Sequence, residues 1–251
     1  MTHTPAILSG KTILITGAAR GLGREIALGC AAAGAGLVLA DIDLAGAEES
    51  TSLVTEAGGT ARAEAVDLRD PAAIEALASR VGAADGLVNN GAIATGIGGK
   101  AHDEIDIDTW NRVMEVNVRG TWLMTRAMVP ALAASGAGRI VNVASDTALW
   151  GAPKLLSYVA SKGAVISMTR SLARELGPQG IGITAVAPGI LTTESTDYVP
   201  AARHQQYEDG RAVPGPQDPQ DVVGTIVFLL TAPALTLTGQ VLPVNRGFVF
   251  T

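Results

Sequence analysis

Short runs that are apolar at almost every position recur along this chain. They lie at Thr12–Thr16, Gly36–Asp41, Ala61–Val66, Gly86–Asn89, Arg139–Ala144, Ile181–Val186 and Gln240–Val244. Between them, at about 21–34, 44–57, 71–80, 108–134, 157–177 and 219–231, the apolar positions recur with helical spacing. Strand and helix in alternation predict parallel strands joined by right-handed crossovers, with helices on both faces of one sheet. Strands that are apolar on both sides fit a sheet covered on both faces. The pattern predicts one doubly wound α/β domain over residues 1–251. One stretch, about 190–218, has weak periodicity and carries Pro200, Pro214 and Pro216. It follows a strand end, where open α/β sheets bind ligands, and reads as a substrate loop or lid.

The first strand runs into Thr16-Gly17-Ala18-Ala19-Arg20-Gly21-Leu22-Gly23, and a helix follows. Gly17 suits a tight turn that a side chain resists. Gly21 and Gly23, with Leu22 between them, allow a ligand and the helix to come close. The helix N-terminus then offers free N–H groups and a positive dipole end to a pyrophosphate. The strand-before, helix-after context makes this a dinucleotide site. Asp41 ends the second strand, eighteen residues past Gly23, where a carboxylate accepts hydrogen bonds from the adenosine ribose. It also repels a 2′-phosphate. At about 4 Å and an effective dielectric near 20, a unit charge pair is worth roughly 4 kcal/mol. That corresponds to about a thousandfold preference for NAD over NADP. Arg20 is the counterweight, because a guanidinium near the adenosine binds a phosphate. Asp43 suits a helix cap. Asp67, followed by Leu68, is placed either at the adenine edge or in a turn.

Tyr158 and Lys162 stand four apart in Ser157-Tyr158-Val159-Ala160-Ser161-Lys162, hence on one face of a predicted helix. Ser145 lies thirteen residues before Tyr158, just past the fifth strand. Alcohol oxidation needs a base for the hydroxyl proton, and a free tyrosine titrates near 10. A lysine ammonium about 4 Å away, with a cationic nicotinamide, favours the phenolate by up to about three units. Ser145 would then hydrogen-bond the substrate oxygen.

Together these segments resemble the classical short-chain dehydrogenase/reductase family over essentially the whole chain. They are TGAARGLG at 16–23, VNN at 88–90, Asn117 in VNVRG, IVNVAS at 140–145, YVASK at 158–162, APG at 187–189 and TGQVL at 238–242. The resemblance implies a Rossmann-type, seven-stranded parallel sheet and catalysis by Asn117, Ser145, Tyr158 and Lys162. It implies that Asn117 kinks its helix and holds a water that relays protons to Lys162. It places Asn90, with Gly91 beside it, near the cofactor, and Pro188, Gly189, Ile190 and Thr193 at the nicotinamide half. It also implies a homotetramer, or a homodimer, built on the helices at about 108–134 and 157–177 and on the last helix and strand. Three segments depart from the family pattern. Asn89-Asn90-Gly91-Ala92 inverts its last two residues, Thr184 replaces an asparagine, and Val244-Asn245-Arg246-Gly247 replaces Val-Asp-Gly-Gly.

Composition narrows the picture. Hydrophobic residues make up 47% and charged residues 17%, a globular balance, and the net charge of −6 argues against a nucleic acid partner. No uninterrupted apolar span of membrane length is present, and Met1 to Lys11 shows no signal-peptide pattern, so a cytoplasmic protein is expected. Cys30, the single cysteine, reads as a buried filler. His102, among Asp103, Glu104, Asp106 and Asp108, reads as a solvated acidic loop rather than a metal site, with Asp108 as the helix cap. His204 lies in the lid. Trp150, Leu149, Leu155, Tyr198 and Tyr207 are candidates for an apolar pocket wall, which predicts a fairly hydrophobic secondary alcohol or ketone with little negative charge. Two rivals remain: an NADPH-dependent 3-oxoacyl carrier-protein reductase, and a non-catalytic dinucleotide sensor.

Overall fold

The computed structural model describes residues 6–251, so the first five residues of the N-terminal stretch read above lie outside the described residues. Seven strands form one parallel sheet in the order β3-β2-β1-β4-β5-β6-β7. They are β1 (Thr12–Thr16), β2 (Gly36–Asp41), β3 (Thr60–Ala65), β4 (Gly86–Asn89), β5 (Arg139–Val143), β6 (Gly182–Pro188) and β7 (Val241–Val244). The order reverses between β1 and β4, and ligands of open α/β sheets bind at such a switch point. Neighbouring residues of β1 serve opposite cores. Ile13 and Ile15 pack with Ile26, Cys30 and Ile226 on one face, while Leu14 packs with Ile74, Leu77 and Met128 on the other. That two-sided burial is the physical reason the strand reads as continuously apolar.

The helices are α1 (Gly21–Ala32), α2 (Leu44–Glu56), α3 (Pro71–Val81), α4 (Ile107–Met114), α5 (Thr121–Ala134), α6 (Thr147–Trp150), α7 (Leu156–Leu176), α8 (Ala201–Gly210) and α9 (Gln220–Leu229). The stretch expected as one helix over 108–134 is three pieces. A π-helical segment, Glu115–Gly120, separates α4 from α5. Asp106, not Asp108, caps α4, accepting the Thr109 N–H at 2.7 Å. Asp43 caps α2 through Gly46 N–H at 3.1 Å, as expected. The 190–218 stretch is not wholly irregular, since it contains α8. No helix among the described residues is long and apolar enough to cross a membrane.

Candidate active site

A cavity of about 960 Å³ opens along the carboxyl ends of the strands, from Asp41 at one end to the lid helix α8 at the other. Its Asp41 end is built from close backbone approaches. Gly17 has φ +66, and a Cβ there would meet Gly91 Cα at 2.6 Å and Asn90 Nδ2 at 2.9 Å. A Cβ on Gly23 would collide with the Gly17 carbonyl. Asn90 clamps the turn, donating from Nδ2 to the Thr16 and Gly17 carbonyls at 3.0 and 2.9 Å. Helix α1 starts at this turn with no side-chain cap and no acidic residue in its first turn. Its free N–H groups and positive end suit a pyrophosphate. Gly17, Arg20, Leu22 and Gly23 line the cavity. Gly21 does not; it has φ +53, and a Cβ there would approach Ser195 and Thr193 across the cleft.

Asp41 lines the cavity just beyond the turn. Its two oxygens accept the Ala19 N–H at 3.0 Å and the Asp43 N–H at 3.0 Å, which fixes the carboxylate's orientation. Ile42, unnoticed in the sequence, is 68% exposed and lines the same end. Asp67 and Leu68 also line it, but Arg69 grips the Asp67 carboxylate at 2.7 Å and holds its acidity below the usual carboxylate range. The inverted Gly91-Ala92 pair is accommodated. Ala92 is not in the left-handed region, and a Cβ on Gly91 would meet Leu68 Cδ1 at 2.9 Å.

At the centre, Ser145, Tyr158 and Lys162 all line the cavity, beside Pro188, Gly189 and Ile190, with Thr193 further along the lid. Ser145 sits where β5 ends. Its Oγ accepts from the Thr147 hydroxyl at 2.9 Å and the Thr147 N–H at 3.3 Å, which leaves its own proton to donate elsewhere. Thr147 was not singled out from the sequence. Lys162 is 4% exposed, and its Nζ donates to the Val143 carbonyl at 2.7 Å. Its Nζ lies 5.6 Å from the Tyr158 ring centroid. Burial pushes the Lys162 ammonium down to about 8. Burial pushes the Tyr158 phenol up to about 12, although Ser145 pulls the other way. The expected shift toward neutral pH invoked the lysine together with a cationic nicotinamide; in the chain by itself desolvation is the largest influence on the phenol and raises it. Asn117 stands behind the wall rather than in it. Its side chain receives the Ile93 N–H at 2.7 Å and donates to the Ile93 carbonyl at 3.0 Å and to Ser161 Oγ at 3.1 Å. The π-helical turn carries it into that position.

Beneath the lid lies a polar cluster that the sequence did not announce. Asp146 is fully buried; it accepts the Tyr207 hydroxyl at 2.8 Å and the Asn245 amide at 3.2 Å. The altered C-terminal segment makes sense here, because an aspartate at 245 would bring two carboxylates together. Arg246, at φ 56 where the family has glycine, reaches back to the Pro214 carbonyl at 3.3 Å and to the Pro216 carbonyl. Burial pushes the Asp146 carboxyl up from 3.8 to about 6. The folded state therefore binds this proton more tightly than the unfolded chain. Its contribution to stability is full below about pH 4 and is lost as pH rises through about 6, by about 3 kcal/mol. Asp146→Asn should remove that dependence. Urea denaturation of both proteins should show their stability difference changing between about pH 4 and 6 and flat above 7. A difference independent of pH would show that Asp146 titrates normally.

The remaining candidates divide. Leu155, Tyr198 and Tyr207 line the lid end of the cavity, and Tyr198 donates to the Ala94 carbonyl at 2.6 Å. Trp150 and Leu149 do not line it. Trp150 packs behind the wall, edge-on to Tyr207 and Phe248, and donates to the Tyr207 hydroxyl at 3.1 Å. His204 turns to the Thr196 carbonyl at 3.3 Å, outside the cavity wall. Cys30 is buried and its thiol is pushed up to about 12, as suits a filler. Among the described residues no cluster could hold a metal ion. Thr184 turns its hydroxyl to the Leu237 carbonyl at 3.2 Å.

Comparison with known proteins gives full-length matches. A family model described as enoyl-(acyl carrier protein) reductase matches residues 17–249. The chain is 33% identical to 2-(S)-hydroxypropyl-CoM dehydrogenase 3 of Xanthobacter autotrophicus, over 96% of this chain and 97% of that protein. It is 36% identical to sorbitol dehydrogenase of Cereibacter sphaeroides, over 96% and 98%. A solved structure from Beutenbergia cavernae superposes with a TM-score of 0.88 and 34% identity, covering 98% of this chain and 99% of the other. That protein is assigned provisionally as an NAD(P)-dependent gluconate 5-dehydrogenase and holds NADP at low occupancy.

Proposed function

The chain belongs to the classical short-chain dehydrogenase/reductase family, and on that premise we propose that it is an NAD-dependent dehydrogenase interconverting a secondary alcohol and a ketone. The general reaction, oxidoreduction at an alcohol carbon, is shared with its relatives. The observation that carries the reading is the convergence of Ser145, Tyr158 and Lys162 on one cavity whose other end is the glycine turn. The residues fit a dinucleotide: backbone N–H groups of the uncapped α1 for the pyrophosphate, the fixed Asp41 carboxylate for the ribose, and Pro188 to Ile190 for the nicotinamide half. Bound there, the nicotinamide supplies hydride chemistry at the carbinol or carbonyl carbon.

The chain's own groups handle the proton. Ser145 donates to the substrate oxygen and holds it against Tyr158. The Tyr158 phenol takes the hydroxyl proton in oxidation and returns it in reduction. Lys162, tied by one donor to Val143, has two left to orient the cofactor's ribose and to stabilise charge at the phenol. Asn117 and Ser161 lock the adjoining backbone of Ile93 and Tyr158, which keeps these groups aligned.

We also propose a homo-oligomer, a tetramer by family resemblance. Ile107 on α4, Trp122 on α5, Phe228 on α9 and the C-terminal Phe250 are exposed apolar residues on the surfaces that such an assembly covers. Light scattering would show a tetramer or a dimer if this is right and a monomer if it is wrong. The NADPH-dependent reductase stays the second reading, because Arg20 lines the adenosine end. A panel of secondary alcohols, run with NAD and with NADP and followed by absorbance of the reduced nucleotide, tests the proposal. Turnover with NAD supports it. Turnover with NADP alone favours the reductase. No turnover of any alcohol or ketone with either nucleotide, despite measurable nucleotide binding, rejects the dehydrogenase in favour of the sensor.

A further inference from the structure

We infer, on the dehydrogenase reading above, that the substrate carries an oxyanion group, a carboxylate in its simplest form, held by Arg203 together with Lys154 at the lid end of the cavity. Arg203 stands on α8 and lines the cavity. Its guanidinium lies 5.2 Å over the Trp150 ring, and one Nη2–H reaches the Pro153 carbonyl at 3.4 Å. The ring beneath it is itself immobilised, edge-on to Tyr207 and Phe248 and bonded to the Tyr207 hydroxyl, which Asp146 fixes in turn. The guanidinium is therefore seated by its face while most of its donor edge stays unspent. That is the arrangement in which arginine binds an oxyanion with two parallel hydrogen bonds.

Lys154 lines the same end from the loop before α7. Its backbone is left-handed, φ 57, and its carbonyl accepts the Gly99 N–H at 2.8 Å. A side chain held in that unfavourable conformation beside a cavity is an outlier of the kind that clusters at functional sites. Among the described residues, neither cation is paired with a carboxylate, whereas Arg24, Arg69 and Arg126 each are. The acids that line the cavity, Asp41 and Asp67, both belong to the nucleotide end. In a chain of net charge −6, a cavity end walled by unpaired cations and free of acids concentrates anions from solution. This departs from the expectation of a substrate with little negative charge. The apolar wall of Leu155, Ile190 and Tyr198 then serves the carbon skeleton between the carbinol and the anion.

The test is a set of matched pairs: 3-oxobutanoate, 4-oxopentanoate and 5-oxohexanoate, each against its methyl ester. Reduction is measured as kcat/KM, and binding by titrating the enzyme–NADH complex through nucleotide fluorescence. At least one acid should exceed its ester by about tenfold or more, the worth of one charged hydrogen-bonding contact. The advantage should shrink as ionic strength rises. Arg203→Gln and Lys154→Gln should each pull the acid-to-ester ratio toward one, with Arg203→Lys intermediate because it keeps charge and loses the fork. Esters used or bound as well as the acids at every chain length would overturn the inference, even while neutral alcohols turn over and the dehydrogenase stands. Acids bound more tightly than esters without turnover would support the anion site and reject the proposed reaction.

Discussion

Tyr158→Phe should lower kcat by at least about a thousandfold while leaving the affinity for NADH within about threefold. The first figure reflects the weight of a general acid–base group that no neighbour replaces. Among the groups lining the centre of the cavity, Ser145 is too weak an acid to exchange the proton at neutral pH, and Lys162 is tied to the Val143 carbonyl at 2.7 Å. The second figure follows from the glycine turn and Asp41, which the substitution does not touch. The pH dependence carries the sign of the mechanism. Burial sets the Tyr158 phenol at about 12 in the chain by itself, so its base form is scarce at neutral pH. Oxidation requires that base form, and its kcat/KM should climb with pH by up to about tenfold per unit through the neutral range. Reduction requires the protonated phenol and should not climb. Lys162, near 8, loses its charge within the same range, so the climb should weaken above that pH. Stopped-assay rates in both directions, with fluorescence titration of NADH, check all of this. Retained turnover in Tyr158→Phe would remove the phenol from the mechanism.

Much of this arrangement can be read along the chain, and the parts that cannot share one cause. Strand runs and the glycine turn are local: Ile13, Leu14 and Ile15 are apolar because each side of β1 is covered, and Gly23 is glycine because the Gly17 carbonyl fills the space a Cβ would need. The break in the 108–134 stretch is not local, and only the family resemblance, which implies a kink at Asn117, points to it. The π-helical turn brings Asn117 against the backbone of Ile93, twenty-four residues away, and no periodicity marks that contact. Helix α8 hides for a similar reason. Of its ten residues only Tyr207 is buried, and its partner Asp146 lies sixty-one residues off. Trp150 shows the limit in another way. Its position between the serine and the tyrosine suggests a pocket wall, but a one-turn helix directs it behind the wall, where it holds Arg203 and Tyr207 in place. The sequence displays the charge of a lysine four residues on from Tyr158, but not the burial that raises the phenol in the chain by itself.

Asp41→Asn should shift the ratio of NAD to NADP efficiencies toward NADP by about a hundredfold, with about a thousandfold as the ceiling on the gain of NADP itself. The ceiling is the full repulsion between a carboxylate and a 2′-phosphate at contact, roughly 4 kcal/mol at an effective dielectric near 20. The half-buried setting of Asp41 and the open mouth of the cavity reduce it. Two effects add. NADP gains because the repelling charge is gone and Arg20, in the same wall, is free to meet the phosphate. NAD loses because the ribose hydroxyls donate to an amide oxygen rather than a carboxylate, a difference of about 1–2 kcal/mol. The substitution is nearly isosteric, yet an asparagine can accept only on one oxygen. One of the two N–H groups, from Ala19 or Asp43, loses its partner, so part of the loss in NAD efficiency is structural. A second substitution separates the contributions. Arg20→Ala placed on Asp41→Asn should remove most of the gain for NADP and leave NAD nearly unchanged. Steady-state kinetics with both nucleotides, at fixed ionic strength, reads the ratio for the wild type and for each variant. If Asp41→Asn moves the ratio less than about threefold, the carboxylate is not where the ribose is read, and its two backbone bonds are a sufficient account of why an aspartate ends β2.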